Sequence, residues 1–335
     1  MPLLKKPISG NISLKNIGVF ALGLIVILFP LIVKDPYLMH LLIMGFINSI
    51  LAMGFVMLIS TGLLTLGAAA FFAVGAYAST LMVTKVGLSF WCSSPLAGII
   101  AGVIALGIGA IIVRLSKVAF VFVTIMVAVI IHQTLGRVEL FGGWGGIVSI
   151  PAPNPIHLPF DINVEFITKA SYYYLILFLL LLTITVFQAL YHSRIGRAWR
   201  AIKLNPRLAE SLGISSYRYS LLAFVIVAIF AALAGSFYAH YAHTIEPDVF
   251  GFWTSIYIQV YGILGGIGFY ISGPICGSIV MTFLPEILRI TKEIEPIITG
   301  CILLVIIIFW PEGLLSLLRR IYASIRKMGK ASTCS

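Results

Sequence analysis

Between Asp35 and Lys85 the chain carries no Asp, Glu, Lys or Arg, and the same holds from Val86 to Val113 and from Val118 to Gly136. Such stretches match or exceed the ~20 residues an α-helix needs to cross the hydrocarbon core of a bilayer. No soluble surface can be assembled from them. Residues in the AVILMFWYC set make up 60% of the 335, and charged residues 10%, where a soluble domain has about a quarter. In lipid the backbone must satisfy its own hydrogen bonds, so these runs read as helices. The expectation is an all-α integral membrane protein of about ten transmembrane helices, a single transmembrane domain over 1–335. The expected spans are 16–33, 40–60, 66–84, 96–113, 118–135, 171–191, 218–241, 253–268, 273–288 and 296–311.

The net charge of +11 suggests a nucleic-acid binder only until its positions are considered. Lys and Arg cluster between the apolar runs, as membrane topology requires, and no nucleic-acid partner is expected. With the N-terminus placed in the cytoplasm, sixteen of the Lys and Arg fall inside and six outside. That matches the positive-inside bias and places both termini in the cytoplasm. Lys5, Lys6 and Lys15 precede the apolar run Ile17 to Val33, which lacks a small-x-small cleavage site and reads as a retained first span. Cys92, Cys276, Cys301 and Cys334 are scattered, giving neither a disulfide framework nor a metal site.

Two connections are long. Residues 136–170 form an external loop dense in Gly142, Gly143, Gly145, Gly146, Pro151, Pro153, Pro155 and Pro159, which predicts ordered non-helical structure. Residues 192–217 form the most basic, cytoplasmic loop, and 312–335 a short basic cytoplasmic tail. Neither leaves room for a soluble catalytic domain. No phosphate-binding loop and no H-E-x-x-H spacing occurs, so ATP hydrolysis, a resident metal and a cofactor are not expected of this chain. His240 and His243, three apart near the outer end of a span, read as an interfacial polar belt. His132 reads as a hydrogen-bonded packing residue. Spans centred on neutral polar groups such as Asn48, Gln188 and Gln259 lack the ionisable residues of ion-driven carriers, pointing to a driving force outside the bilayer.

The cytoplasmic loop has readable punctuation. Asn205 is a good N-cap, Pro206 suits the first helical position and Gly213 the C′ stop. Leu208, Ala209 and Leu212 share one side of the short helix between them, and Ala198, Ala201 and Ile202 form an apolar stripe upstream. Such a helix suits either docking into a groove on another protein or resting on anionic lipid.

The loop Gly196 to Ile214 resembles the coupling loop of ABC importer permeases, in the variant of the branched-chain amino acid (LIV-type) family. Three further stretches agree in order: Leu64-Thr-Leu-Gly-Ala-Ala-Ala-Phe-Phe-Ala-Val-Gly-Ala-Tyr77; Gly265-Gly-Ile-Gly268 with Gly273-Pro-Ile-Cys-Gly277; and Phe309-Trp-Pro-Glu-Gly-Leu314. Three polar positions of the family pattern are replaced. Ala68 stands for Gln or His, Gly142-Gly-Trp-Gly-Gly146 lacks an asparagine, and Phe269 stands for Ser or Thr. These departures bear on the substrate more than on the architecture.

The resemblance implies a permease subunit of the bacterial inner membrane, not itself an enzyme, serving an importer of amino acids, branched-chain or similar. It would pair with a second homologous permease, two cytoplasmic ATP-binding subunits and an external substrate-binding protein, touched by the 136–170 loop near Trp144. Gly196, Arg197, Arg200, Ala201, Asn205, Ala209, Glu210 and Gly213 would lie at the ATPase contact. Glycine-interrupted spans in both halves of the chain suit discontinuous helices, which makes Gly67, Gly75, Gly265, Gly266 and Gly268 translocation-pathway positions; close packing through small residues is the competing reading. An ion-coupled secondary transporter or a channel would use the same spans without ATPase partners.

Overall fold

A computed structural model describes residues 35–158, 162–164 and 168–287, together with a few positions in 26–30, Phe166 and scattered positions in 297–316. The expected first and tenth spans and nearly all of the 312–335 tail lie outside the described residues. Each of the other eight spans has a helix: α1 (Pro36–Ile59), α2 (Ala68–Thr84), α3 (Phe90–Ile112), α4 (Lys117–Arg137), α5 (Lys169–His192), α8 (Ser216–Ala242), α9 (Phe252–Gly265) and α10 (Ser272–Ile287). The cytoplasmic loop supplies α6 (Arg194–Leu204) and α7 (Pro206–Ser211). The chain is an all-α membrane protein, with α1, α3, α4, α5 and α8 long and apolar enough to cross a bilayer. At 17, 14 and 16 residues, α2, α9 and α10 are shorter, because each begins or ends at a non-helical break. The count of ten therefore remains an expectation.

Some boundaries move for local reasons. Asp35 caps α1 by accepting the Tyr37 amide at 2.9 Å, with Pro36 at the first turn, so that helix starts earlier than expected. Ser89 precedes α3, which opens at Phe90 and carries Pro95 within it.

Small residues decide who packs against whom. Along α3, Ala97, Ala101, Ala105 and Gly109 recur every fourth residue and are buried, while Ile99, Val103, Leu106 and Ile111 face outward. The buried stripe admits α8 closely. A side chain at Gly102 would meet Ile229 at 3.0 Å, and one at Gly109 would meet Leu221 and Phe224 at 2.8 and 2.9 Å. Without a hydrophobic drive between helices in lipid, such close backbone approach is what holds a bundle together. The α2–α8 crossing is also close, with Gly75 abutting the carbonyl of Ala232 and Gly235 that of Phe72. As a result α1 and α8 are largely enclosed, while α3, α4 and α5 turn most of their surface outward.

Among its described residues, the 136–170 segment has 3₁₀ turns at Glu139–Phe141 and Gly143–Gly145 and two strands, β1 (Ile156–Leu158) paired antiparallel with β2 (Ile162–Val164). It is strapped to the end of α8. Ile147 and Ile245 exchange backbone hydrogen bonds at 2.9 Å, and Trp91 Nε1 donates to the Asn154 carbonyl at 3.0 Å.

Here the interfacial-belt reading of His240 is corrected: the side chain is fully buried. Its Nδ1 donates to the Pro151 carbonyl at 2.8 Å and its Nε2 lies 3.1 Å from Ser79 Oγ, within a cluster that includes Ser93 and Ser236. His243 is exposed and ends α8 with φ +60°, donating from Nδ1 to the Ile150 carbonyl at 2.9 Å. His132 meets Trp144 edge-on and approaches Asp248 Oδ1 to 3.4 Å.

Candidate functional site

Two regions hold the residues singled out in the sequence. The first is the helix pair α6–α7. Ser193 starts it by accepting the Ile195 amide at 3.1 Å and donating to the Leu190 carbonyl at 2.6 Å. Gly196 follows because a side chain there would overlap the Tyr191 carbonyl. The chain thus turns back hard against the end of α5.

Amphipathicity then sets the roll of α6. Ala198, Trp199 and Ile202 are buried, while Arg197, Arg200 and Lys203 are exposed and Ala201 is half-buried. Trp199 is wholly enclosed and donates from Nε1 to the Tyr219 carbonyl at 2.8 Å, pinning α6 to the start of α8.

The expected punctuation of α7 is present. Asn205 Oδ1 accepts the Leu208 amide at 3.2 Å and Pro206 opens the helix. Gly213 has φ +81°; its amide donates to the Glu210 carbonyl at 2.9 Å, and that of Ile214 to the Ala209 carbonyl at 3.0 Å. This is the left-handed C-terminal cap anticipated for a glycine there.

The exposed face, however, differs from the shared side drawn in the sequence. Ala209 is buried, whereas Leu204, Leu208 and Leu212 are 87%, 60% and 74% exposed. Leu204 closes α6, and Leu208 and Leu212 belong to α7 and its C-terminal end, so the turn from α6 into α7 presents all three. Asn205, Glu210 and Gly213 are exposed as well, while Gly196 joins Ala209 in the interior. The sequence placed Leu208 and Leu212 on a shared side but grouped the buried Ala209 with them and left Leu204 out.

The second region comprises the breaks. After α1 ends, Ser60 and Thr61 hydroxyls donate to the Met57 and Leu58 carbonyls, and residues 63–67 form a non-helical link to α2. The amides that open α2 are met by side chains of its neighbours. Leu66 N donates to Thr124 Oγ1 at 3.2 Å, Gly67 N to Thr65 Oγ1 at 3.1 Å and Ala69 N to Ser255 Oγ at 3.3 Å. Of the orphan donors expected at a helix start, those of Gly67 and Ala69 are thereby paired with side chains.

The other break separates α9 from α10. Gly266, at φ +109°, turns the chain; the Gly265 backbone abuts the Gly273 carbonyl and Gly277 abuts that of Tyr261. Gly313 presses on Gly266 from the far end of the chain.

The five pathway glycines do not converge on one point. Gly265, Gly266 and Gly268 share the α9–α10 connector, and Gly67 is linked toward α9 through the Ala69–Ser255 bond. Gly75 lies apart, at the α2–α8 crossing. Close packing accounts for Gly75 and Gly265, and a side chain at Gly67 would come within 2.8 Å of the Thr124 carbonyl oxygen. Gly268 has open space beside it. Of the neutral polar groups in the spans, Asn48 Nδ2 donates to Thr282 Oγ1 at 3.2 Å, joining α1 to α10.

The two regions touch. The Arg200 guanidinium lies 4.8 Å from the centre of the Tyr191 ring, and that ring lies against Tyr270 of the α9–α10 connector, with centroids 3.6 Å apart. A movement of α6 therefore has a direct physical route to the connector.

Residues 37–310 match the model of a family described as branched-chain amino acid transport system / permease component. The high-affinity branched-chain amino acid transport system permease protein LivM of Salmonella typhimurium is 28% identical over 331 residues, covering 93% of this chain and 77% of that protein. LivM of Escherichia coli is 30% identical over 277 residues, covering 77% of this chain and 65% of that protein. LivH of Escherichia coli, a permease protein of the same kind of system, is 28% identical over 157 residues, covering 46% of this chain and 50% of its own. No solved structure matches.

Proposed function

The chain belongs to the family of permease components of branched-chain amino acid transport systems, and from that premise we propose that it is the membrane-spanning subunit of an ATP-driven importer whose solute is a branched-chain or similar amino acid. ATP hydrolysis takes place on two cytoplasmic subunits that dock on α6–α7. A second, homologous permease completes the pathway; similarity to both LivM and LivH supports a fold used for two kinds of subunit. An external binding protein delivers the solute to the 136–170 loop. The chain is a single permease domain in the inner membrane of a bacterial cell, with 192–217, the 312–335 tail and both termini in the cytoplasm, as the distribution of Lys and Arg favours.

The observation that carries the ATPase assignment is the capped helix α7. Leu204, Leu208 and Leu212 are exposed there among Arg197, Lys203 and Arg207, on a turn held to the bundle by Trp199. Three large apolar side chains presented by a rigid turn form the apolar anchor of a groove-docking helix. When ATP draws the two ATPases together, the docked helices move with them. Tyr191 and Tyr270 pass that motion to the connector at Gly266, and the bundle alternates its access.

Gentle-detergent purification of the tagged full-length chain from its own membranes, with mass spectrometry of what remains bound, tests this reading. Two ATPases and a second permease are expected. A chain that purifies alone, under conditions that hold other importers together, would refute the ATPase assignment and leave an ion-coupled carrier or channel.

A further inference from the structure

At the end of the bundle opposite α6 and α7, the starts of α1 and α5 and the end of α8 surround an open cavity of about 500 Å³, lined chiefly by His40, Lys169, Tyr172, Tyr238, Tyr241 and His243. None of these is acidic. The frame is fixed by its own hydrogen bonds. His40 Nδ1 and the Tyr241 hydroxyl are 2.7 Å apart, the Tyr172 hydroxyl donates to the His240 carbonyl at 3.2 Å, and His243 Nδ1 donates to the Ile150 carbonyl. Lys169 donates to the Pro36 carbonyl at 3.0 Å. An ammonium has three donors, so two N–H groups remain, and among the described residues no carboxylate pairs with the charge. Because α1, α5 and α8 are all of span length, their shared end lies at the membrane boundary, where lysine and tyrosine meet headgroups. A simple anchoring belt would spread such residues around the perimeter, whereas these come from three helices and face one space.

We propose that this cavity is a binding site for an oxyanion, with Lys169 as the charged contact and the phenol and imidazole groups as hydrogen-bonding walls. The same chemistry fits the phosphate of an acidic lipid headgroup and the carboxylate of a small free solute. Lys169 is exposed and keeps two N–H donors that its own hydrogen bond does not consume, so its charge is available to an anion entering the cavity.

The test uses the full-length chain in neutral detergent, with binding followed through the rise in Tm on titration. Dioleoyl phosphatidylglycerol, dioleoyl phosphatidylcholine and L-leucine are compared as probes. Phosphatidylglycerol stabilising more than phosphatidylcholine, whose phosphate is balanced by choline, assigns the phosphate of an acidic lipid; stabilisation by L-leucine instead assigns a free carboxylate. In either arm Lys169→Gln, which retains a donor for the Pro36 carbonyl but no charge, weakens binding by about tenfold or more, and Lys169→Arg preserves it. Binding to the unaltered chain also falls with rising ionic strength, a readout that does not depend on any variant folding. The proposal is overturned if no probe separates Lys169→Gln from the unaltered chain, or if binding is indifferent to salt. Neither outcome depends on ATPase partners, so failure here is separable from failure of the importer reading.

Discussion

Gly213 allows a prediction in which geometry and sterics separate cleanly. A β-carbon added there meets nothing within 4 Å, so any cost of substitution comes from the backbone. At φ +81° an L-residue loses about 1–2 kcal/mol relative to glycine, and a β-branched one is worse placed still. The cap it would distort consists of two hydrogen bonds, Gly213 N–H to Glu210 and Ile214 N–H to Ala209. Those bonds close a helix of six residues, too short to hold itself together. A loss of one to two kcal/mol is roughly a 5–30-fold change in the population of the ordered cap. Trp199 and Ala209 stay buried, so the chain should still reach the membrane with α6 in place. The assay is transport per ATP hydrolysed in proteoliposomes with the co-purified subunits. We expect Gly213→Val to uncouple the two by about that factor, Gly213→Ala to lie between, and Gly213→Asn to stay near the unaltered level, since asparagine tolerates the left-handed region. Normal coupling in Gly213→Val would refute the cap as a working part. An asparagine variant as poor as valine would mean that the bare surface of Gly213, not its backbone conformation, meets the partner.

Replacing Tyr270 or Tyr191 by Ala should lower transport more than ATP hydrolysis while ATPase retention persists; Phe at either site keeps the ring and should restore coupling, and equal loss with Phe and Ala would discount the ring contact. Gly75→Ala should destabilise the protein by about 1–3 kcal/mol, because its β-carbon overlaps the Ala232 carbonyl, whereas Gly107→Ala, open on all sides, should be neutral; detergent-resistant thermal melts compare them. Leu208→Asp combined with Leu212→Asp should release the ATPases on purification without lowering the amount of chain in the membrane, and full retention would move the docking face elsewhere.

What the sequence revealed and what it hid divide along a physical line. Helix starts and stops are decided by groups within a few residues, so Asn205, Pro206 and Gly213 announced the ends of α7 and charge-free runs announced the spans. Depth within the bundle is decided by other helices. His240 looked like part of an outer belt because the residues that satisfy it, Ser79 and Pro151, lie far away in the chain. Gly75 and Gly268 read alike as glycines in apolar runs; only the neighbour at Ala232 makes one a packing residue, and only the absence of a close neighbour leaves the other free for a pathway. The leucines of the α6–α7 turn show the intermediate case. The pairing of Leu208 with Leu212 is local, but that Ala209 faces in while both leucines face out is set by packing of the turn, which Trp199 holds to the start of α8. In a bundle held by small-residue contacts, a site is therefore recognised by what its glycines lack beside them. That is a property of pairs of helices, and no single segment encodes it.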